Sequence, residues 1–123
     1  MYCVKVKGQF SSAHNLRGYK GKCEDLHGHN WHVEVTVCRD GLDEIGMVMD
    51  FRELKDMVAD VIGRLDHKHL NELEGFTRAN PTSENIARYI HDRIVEKTPG
   101  IKVGEVVVWE TDSSAAIYRE GAC

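Results

Sequence analysis

Residues 31–39 read Trp-His-Val-Glu-Val-Thr-Val-Cys-Arg, in which apolar and polar side chains alternate from Trp31 to Val37. A period of two, carried by β-branched and aromatic residues, is the mark of a strand with one buried face. This is the clearest strand in the chain, and the rest can be read outward from it. Toward the N-terminus, residues 2–12 also alternate, with Tyr2, Val4 and Val6 set against Cys3, Lys5 and Lys7. Residues 13–30 between them are broken by Gly18, Gly21 and Gly28 and by several charges. They read as a long loop, and loops of that length inside a small domain are usually functional.

Toward the C-terminus the period changes. Asp50 can cap a helix, with Glu53 three residues on as its reciprocal partner. Phe51, Leu54, Val58, Val61, Ile62 and Leu65 then recur at helical spacing. Residues 66–81 are polar and irregular and end in Asn80-Pro81. Thr82 or Ser83 can cap a second helix, with Glu84 in its first turn and Ile86, Ile90 and Ile94 on one stripe. Pro99-Gly100 ends it. Val106–Trp109 returns to strand character, and Ser113–Arg119 follows a short Thr111-Asp112 break, as in a hairpin. Two strands, two helices and two strands predict an α+β fold, with helices segregated on an antiparallel sheet.

The chain has 123 residues, room for one domain spanning 1–123. Sixteen basic and twenty acidic residues leave a net charge of −4, a poor basis for electrostatic binding of nucleic acid. No apolar stretch approaches the ~20 residues that cross a bilayer, and the N-terminus lacks the apolar centre of a secretion signal. A cytoplasmic protein without a membrane partner is expected. The four cysteines (Cys3, Cys23, Cys38, Cys123) form no C-x-x-C pair. In a reducing compartment they are expected to stay thiols, with Cys3 and Cys38 packed in strands.

Seven histidines are many for this length. His27-Gly-His29 places two imidazoles at i and i+2, on one face of an extended chain. His14 ends the first strand, which can pair antiparallel with the second. Three neutral imidazoles beside an open position make a catalytic zinc pattern, although imidazole also suits copper, nickel and iron. The same residues also read as a polar loop entering a strand. Cys23, four residues before His27, reads as a fourth ligand, as a thiolate with lowered pKa, or as an ordinary loop residue. Asp66 beside His67 can orient the ring, but histidine also suits a helix C-terminus. His32 and His91 read as surface or satisfied residues. Glu110 either ends a hairpin strand or sits partly buried, where it wants a planar two-donor partner such as a 2-amino-4-oxopyrimidine edge or an arginine.

Six segments together resemble the family of 6-pyruvoyl- and 6-carboxy-tetrahydropterin synthases. They are Phe10-Ser-Ser-Ala-His14, Cys23-Glu-Asp-Leu-His27-Gly-His29, Gly46-Met-Val-Met-Asp50-Phe51, Leu65-Asp-His-Lys-His-Leu70, Pro81-Thr-Ser-Glu-Asn85 and Trp109-Glu-Thr111. The resemblance implies the tunnelling fold: a four-stranded antiparallel sheet with two helices on one face, sheets joining into a barrel as a homo-oligomer, commonly a hexamer of two stacked trimers with interfacial active sites. It implies His14, His27 and His29 as zinc ligands and Cys23 as the proton-abstracting residue. It makes Asp66 and His67 a relay pair supplied by a neighbouring subunit, and Glu110 the pterin anchor, with Thr82, Ser83 and Glu84 in the same pocket. The implied substrate is 7,8-dihydroneopterin triphosphate, with Arg17, Lys20, Lys22 or Lys68 as candidates to hold the triphosphate. The short Cys-x-x-x-His-Gly-His spacing resembles the 6-carboxy branch of queuosine and deazapurine biosynthesis more than the 6-pyruvoyl one. Glu24 departs from that pattern. A branch with Glu there cleaves the side chain to 6-hydroxymethyl-7,8-dihydropterin for folate synthesis, so a bifunctional enzyme is a second expectation. A zinc-stabilised binding module without turnover is the non-enzyme alternative.

Overall fold

A computed structural model describes residues 1–21 and 24–121. Strand β1 (Tyr2–His14) and strand β2 (His27–Arg39) come first, then helices α1 (Phe51–Gly63) and α2 (Ser83–Lys97). Strands β3 (Lys102–Thr111) and β4 (Ser114–Tyr118) follow. The sheet is antiparallel in the order β1-β2-β3-β4. The expected α+β architecture therefore holds. β1 and β2 run longer than the alternation alone shows, because pairing continues to the glycine-containing His-Gly-His segment.

The β1–β2 register is unbroken from Tyr2↔Arg39 to His14↔His27. Side-chain alternation sends Val6, Phe10, Ser12 and His14 to one face, joined there by Trp31, Val33, Val35 and Val37. Both helices cover that face, α1 on β1 and α2 on β3 and β4. Leu54, Val58, Val61 and Ile62 come from α1, and Ile86, Ala87, Ile90 and Ile94 from α2. A Cβ on Gly8 would lie 2.8 Å from Ile62 Cδ1, so glycine at this point lets α1 approach the sheet. The Asp50 carboxylate caps α1 by accepting from the Arg52 N–H, and the Thr82 hydroxyl caps α2 by accepting from Asn85 N–H.

Two sequence readings are corrected. His91 is not a surface residue: it is buried, with its Nδ1 3.0 Å from Asp92 Oδ1 and its Nε2 3.6 Å from Glu120 Oε2. Cys3 and Cys38 are not free thiols. They face each other across β1 and β2, with Cα atoms 4.1 Å apart, and form a disulfide. Each reads in isolation as a small apolar strand residue. Only the pairing register, in which Cys3 meets Cys38, reveals the bridge.

Candidate metal centre

The helix-covered face of the sheet continues at one end into imidazoles. His14 is 2 % exposed and ends the row that contains Phe10. His27 and His29 stand on the neighbouring strand in line with Trp31. The ring of Trp31 stacks on Phe10 and meets His14 and His29 edge-on, and its Nε1 donates to the Ser12 carbonyl. An aromatic floor thus sets the two imidazoles.

The hydrogen bonds decide which nitrogens face inward. His14 Nδ1 lies 2.7 Å from the Pro81 carbonyl and His27 Nδ1 lies 2.9 Å from the Asp25 carbonyl. A carbonyl only accepts, so each Nδ1 carries a proton, and in the neutral ring each Nε2 presents a lone pair. Those two Nε2 atoms are 3.1 Å apart. Burial holds His29 below the ordinary imidazole value, and the nearby Glu110 carboxylate opposes that shift. Among the described residues, His29 Nε2 is buried and makes no well-formed hydrogen bond, and Glu110 is the charged group that approaches it.

Glu110 completes the group. The β3–β4 register slips between Trp109 and Thr111, which leaves Glu110 as the extra residue of a bulge. Its Oε1 lies 3.1 Å from His29 Nε2 and 3.3 Å from His14 Nε2. The ligand atoms of His14, His27, His29 and Glu110 all fall within 4.8 Å of one another. With the rings neutral, two facing lone pairs and a carboxylate this close call for a positive charge among them. Two zinc-bound nitrogens in a tetrahedral site stand about 3.3 Å apart, close to the observed spacing. The residues present fit a metal ion.

The predicted site residues divide into those brought together and those held apart. His14, His27 and His29 converge as expected. Glu110 joins them more closely than a pterin anchor requires, its carboxylate lying among the imidazoles. It also borders a pocket of about 280 Å³ lined by Ser83, Glu84 and β4. Thr82 does not line that pocket, because its hydroxyl is spent capping α2. Glu24 is not a plain exposed residue. Its carboxylate accepts from Leu16 N–H and lies 3.7 Å from His27 Nδ1. Cys23 and Lys22 lie outside the described residues. Arg17 reaches the connection between the helices, where its Nη2 donates to the carbonyls of Phe76 and Ala79.

Asp66 and His67 are not members of the imidazole group and lie along the outer edge of β1, where they bond to Ser11. His67 adopts φ 55° and its N–H donates to the Ser11 carbonyl. Its Nδ1 lies 2.9 Å from Asp66 Oδ2, and its side chain is 81 % exposed. The Ser11 N–H, then the His67 ring, hold the Asp66 carboxyl below its ordinary value. A carboxylate with a depressed pKa adds stability above its unfolded value, and that stability drains away as pH falls through the folded value. In urea titrations of metal-free protein, Asp66→Asn should lower the midpoint by a constant amount at neutral pH. The gap to the parent should close below about pH 4. A gap independent of pH would show that the charge of Asp66 contributes nothing.

No helix is long and apolar enough to cross a membrane among the described residues. The family model for 6-pyruvoyl tetrahydropterin synthase matches residues 3–121. A dihydroneopterin monophosphate aldolase of Pyrococcus furiosus is 39% identical over 87% of this chain and 88% of its own. A 6-carboxy-5,6,7,8-tetrahydropterin synthase of Aquifex aeolicus is 33% identical over 80% of this chain and 76% of its own. Among solved structures, the 6-pyruvoyl tetrahydropterin synthase of Caenorhabditis elegans superimposes with a TM-score of 0.85 at 26% identity, over 98% of this chain and 96% of that one. With the histidine group at the end of a four-stranded sheet and a family match over almost its whole length, the chain belongs to the 6-pyruvoyl tetrahydropterin synthase family.

Proposed function

We propose that this protein is a zinc-dependent lyase that converts 7,8-dihydroneopterin triphosphate to 6-carboxy-5,6,7,8-tetrahydropterin, acetaldehyde and triphosphate, serving 7-deazapurine (queuosine) synthesis in the cytoplasm. The observation that carries the reading is the convergence of three imidazoles, two with Nδ1 pinned to carbonyls, beside a carboxylate that also borders a pocket. His14, His27 and His29 would hold the zinc, which when bound supplies Lewis acidity toward the hydroxylated side chain of the substrate. Glu110 offers two acceptor oxygens to the two N–H groups of a 2-amino-4-oxopyrimidine edge, a pairing that fixes ring orientation as well as position. Ser83 and Glu84 share that pocket. Cys23 moves a proton on one face of the substrate. Asp66 orients His67 through Nδ1, which leaves Nε2 free to carry a proton on the other face.

His67 is not a member of the imidazole group within one chain, and in this reading the second proton carrier comes from a neighbouring copy. β1 and β4 are the outer strands of the sheet; residues 66–69 take up the outer edge of β1 at Ser11 and Ala13, which leaves its earlier part and β4 as edges unpaired among the described residues. Sheet-to-sheet pairing of copies would cover them and close a barrel, in this reading a hexamer of two trimers. Lys20 and Lys68, both exposed, are candidates for the triphosphate among the described residues.

A second reading has a specific observation behind it. Glu24 lies against His27, and a relative 39% identical bears the name of an aldolase. On that reading the protein also, or instead, cleaves the side chain to 6-hydroxymethyl-7,8-dihydropterin. Zinc-loaded protein incubated with 7,8-dihydroneopterin triphosphate and resolved by liquid chromatography with mass detection separates the two. The carboxy product with acetaldehyde is expected, and Cys23→Ala should abolish it. If a hydroxymethyl product also forms, Glu24→Ala should remove that product alone. No turnover by zinc-loaded protein would sink the enzyme reading and leave a binding module.

A further inference from the structure

The twelve residues that join β1 to β2 carry a metal ligand at each end, His14 before them and His27 after. Little in their composition orders them, yet the three residues that follow His14 are held as firmly as a strand. Asn71, in the turn after α1, accepts from Asn15 N–H at 3.0 Å and donates to the Asn15 carbonyl at 2.8 Å. Asn80, ahead of α2, does the same to Arg17, accepting at 2.8 Å and donating at 2.9 Å. A primary amide presents one acceptor and one donor side by side, the pattern that a neighbouring strand presents to alternate residues. Residues 15 and 17 are such an alternate pair. Leu16, which faces the other way, is paired through its own backbone with Glu24: Glu24 N–H donates to the Leu16 carbonyl at 2.9 Å, and Leu16 N–H donates to Glu24 Oε1 at 3.2 Å.

The consequences reach both ligands. Glu24 so placed sets the Asp25 carbonyl that takes the His27 Nδ1–H. Asn80 is bonded on both sides of the site, because its own carbonyl accepts from Thr82 N–H and Asn85 Nδ2, both at 2.8 Å. The next carbonyl along, that of Pro81, takes the His14 Nδ1–H at 2.7 Å. Asn80 therefore links the residues after His14, the carbonyl that orients His14 and the start of α2, where Ser83 and Glu84 stand.

We propose that Asn71 and Asn80 are positioning residues of the metal centre: their side-chain amides splint residues 15–17 and so set the aim of the His14 and His27 rings. This rests on the metal reading above. The test adds Co2+ alone to metal-free full-length protein and follows its dissociation constant and visible absorption. Asn71→Ala and Asn80→Ala should each weaken Co2+ binding roughly tenfold or more, the usual effect of removing groups behind a ligand, and should shift the absorption bands. Ile94→Val, a core truncation in α2, should lower the thermal midpoint while leaving both readouts unchanged. Should the alanine variants fail to fold, Asn71→Asp and Asn80→Asp carry the test: they keep the acceptor and the shape, lose the donor and add a negative charge, so weaker Co2+ binding despite the added charge is the expected result. Folded variants with the parent dissociation constant and spectrum overturn the proposal while the metal reading stands. A parent protein that takes up no Co2+ overturns both.

Discussion

His27→Ala will leave the protein folded but unable to retain stoichiometric zinc, and turnover of the pterin triphosphate will fall by about a thousandfold. Of the proposed ligands, His27 is the one to change because it is partly exposed, whereas His14 is 2 % exposed and locked between Trp31 and the Pro81 carbonyl. Truncating His14 would confound loss of metal with loss of core. The magnitude follows from the charge stabilisation that a bound divalent ion provides, several kcal/mol. At 1.36 kcal/mol per decade, about 4 kcal/mol corresponds to the thousandfold. Metal analysis after dialysis and steady-state rates with added zinc measure the two parts separately. Full activity in His27→Ala, with zinc still bound, would remove His27 from the centre. Chelation of the parent protein should reproduce the rate loss without unfolding it. Among the described residues the aliphatic core is continuous without the ion, unlike that of a small module folded around its metal.

Cys3→Ser will lower the thermal midpoint by roughly 8–15 °C at fixed protein concentration while leaving zinc stoichiometry unchanged. The Cys3–Cys38 bridge spans 35 positions. Closing a loop of that size restricts the unfolded chain enough to stabilise the fold by about 2–4 kcal/mol, and a domain of this size shifts by a few degrees per kcal/mol. The substituted residue is exposed, so the change creates no cavity. Thiol titration of the denatured parent should find two fewer reactive groups before reduction than after it. Equal counts would mean that the bridge does not form, and the thermal shift should then vanish with it. The two ends of the β1–β2 ladder are thus expected to act independently: the disulfide end sets stability and the imidazole end sets chemistry.

The elements of this fold were legible because each has a local signature. Val33, Val35 and Val37 alternate, Ile86, Ile90 and Ile94 recur at helical spacing, and Asp50 and Thr82 cap at the expected places. Such signals depend on neighbours a few positions away and survive in any context. The imidazole group was legible for a related reason: two of its members sit at i and i+2, and the third ends the strand that pairs with theirs. The family resemblance then added roles that spacing alone left open.

The remainder depended on register and on side-chain direction, which are properties of the assembled sheet. The same pairing that sets His14 against His27 sets Cys3 against Cys38, eleven residues earlier in β1. No short-range pattern marks that partnership, and each cysteine alone resembles a core residue. Glu110 reads from sequence as a strand end, and the bulge in β3 and the place of α2 bring its carboxylate to His29. Arg17 reads as a cation in a loop, yet carbonyls from the connection between the helices accept hydrogen bonds from its guanidinium. Asn71 and Asn80 carry no signal at all, because an amide acquires meaning only from the backbone groups it meets. The sequence by itself therefore determined the order of strands and helices, their caps and the presence of a histidine site. Tertiary structure decided which distant polar groups satisfy one another, because burial makes an unpaired donor or acceptor costly and only the folded chain shows where partners are.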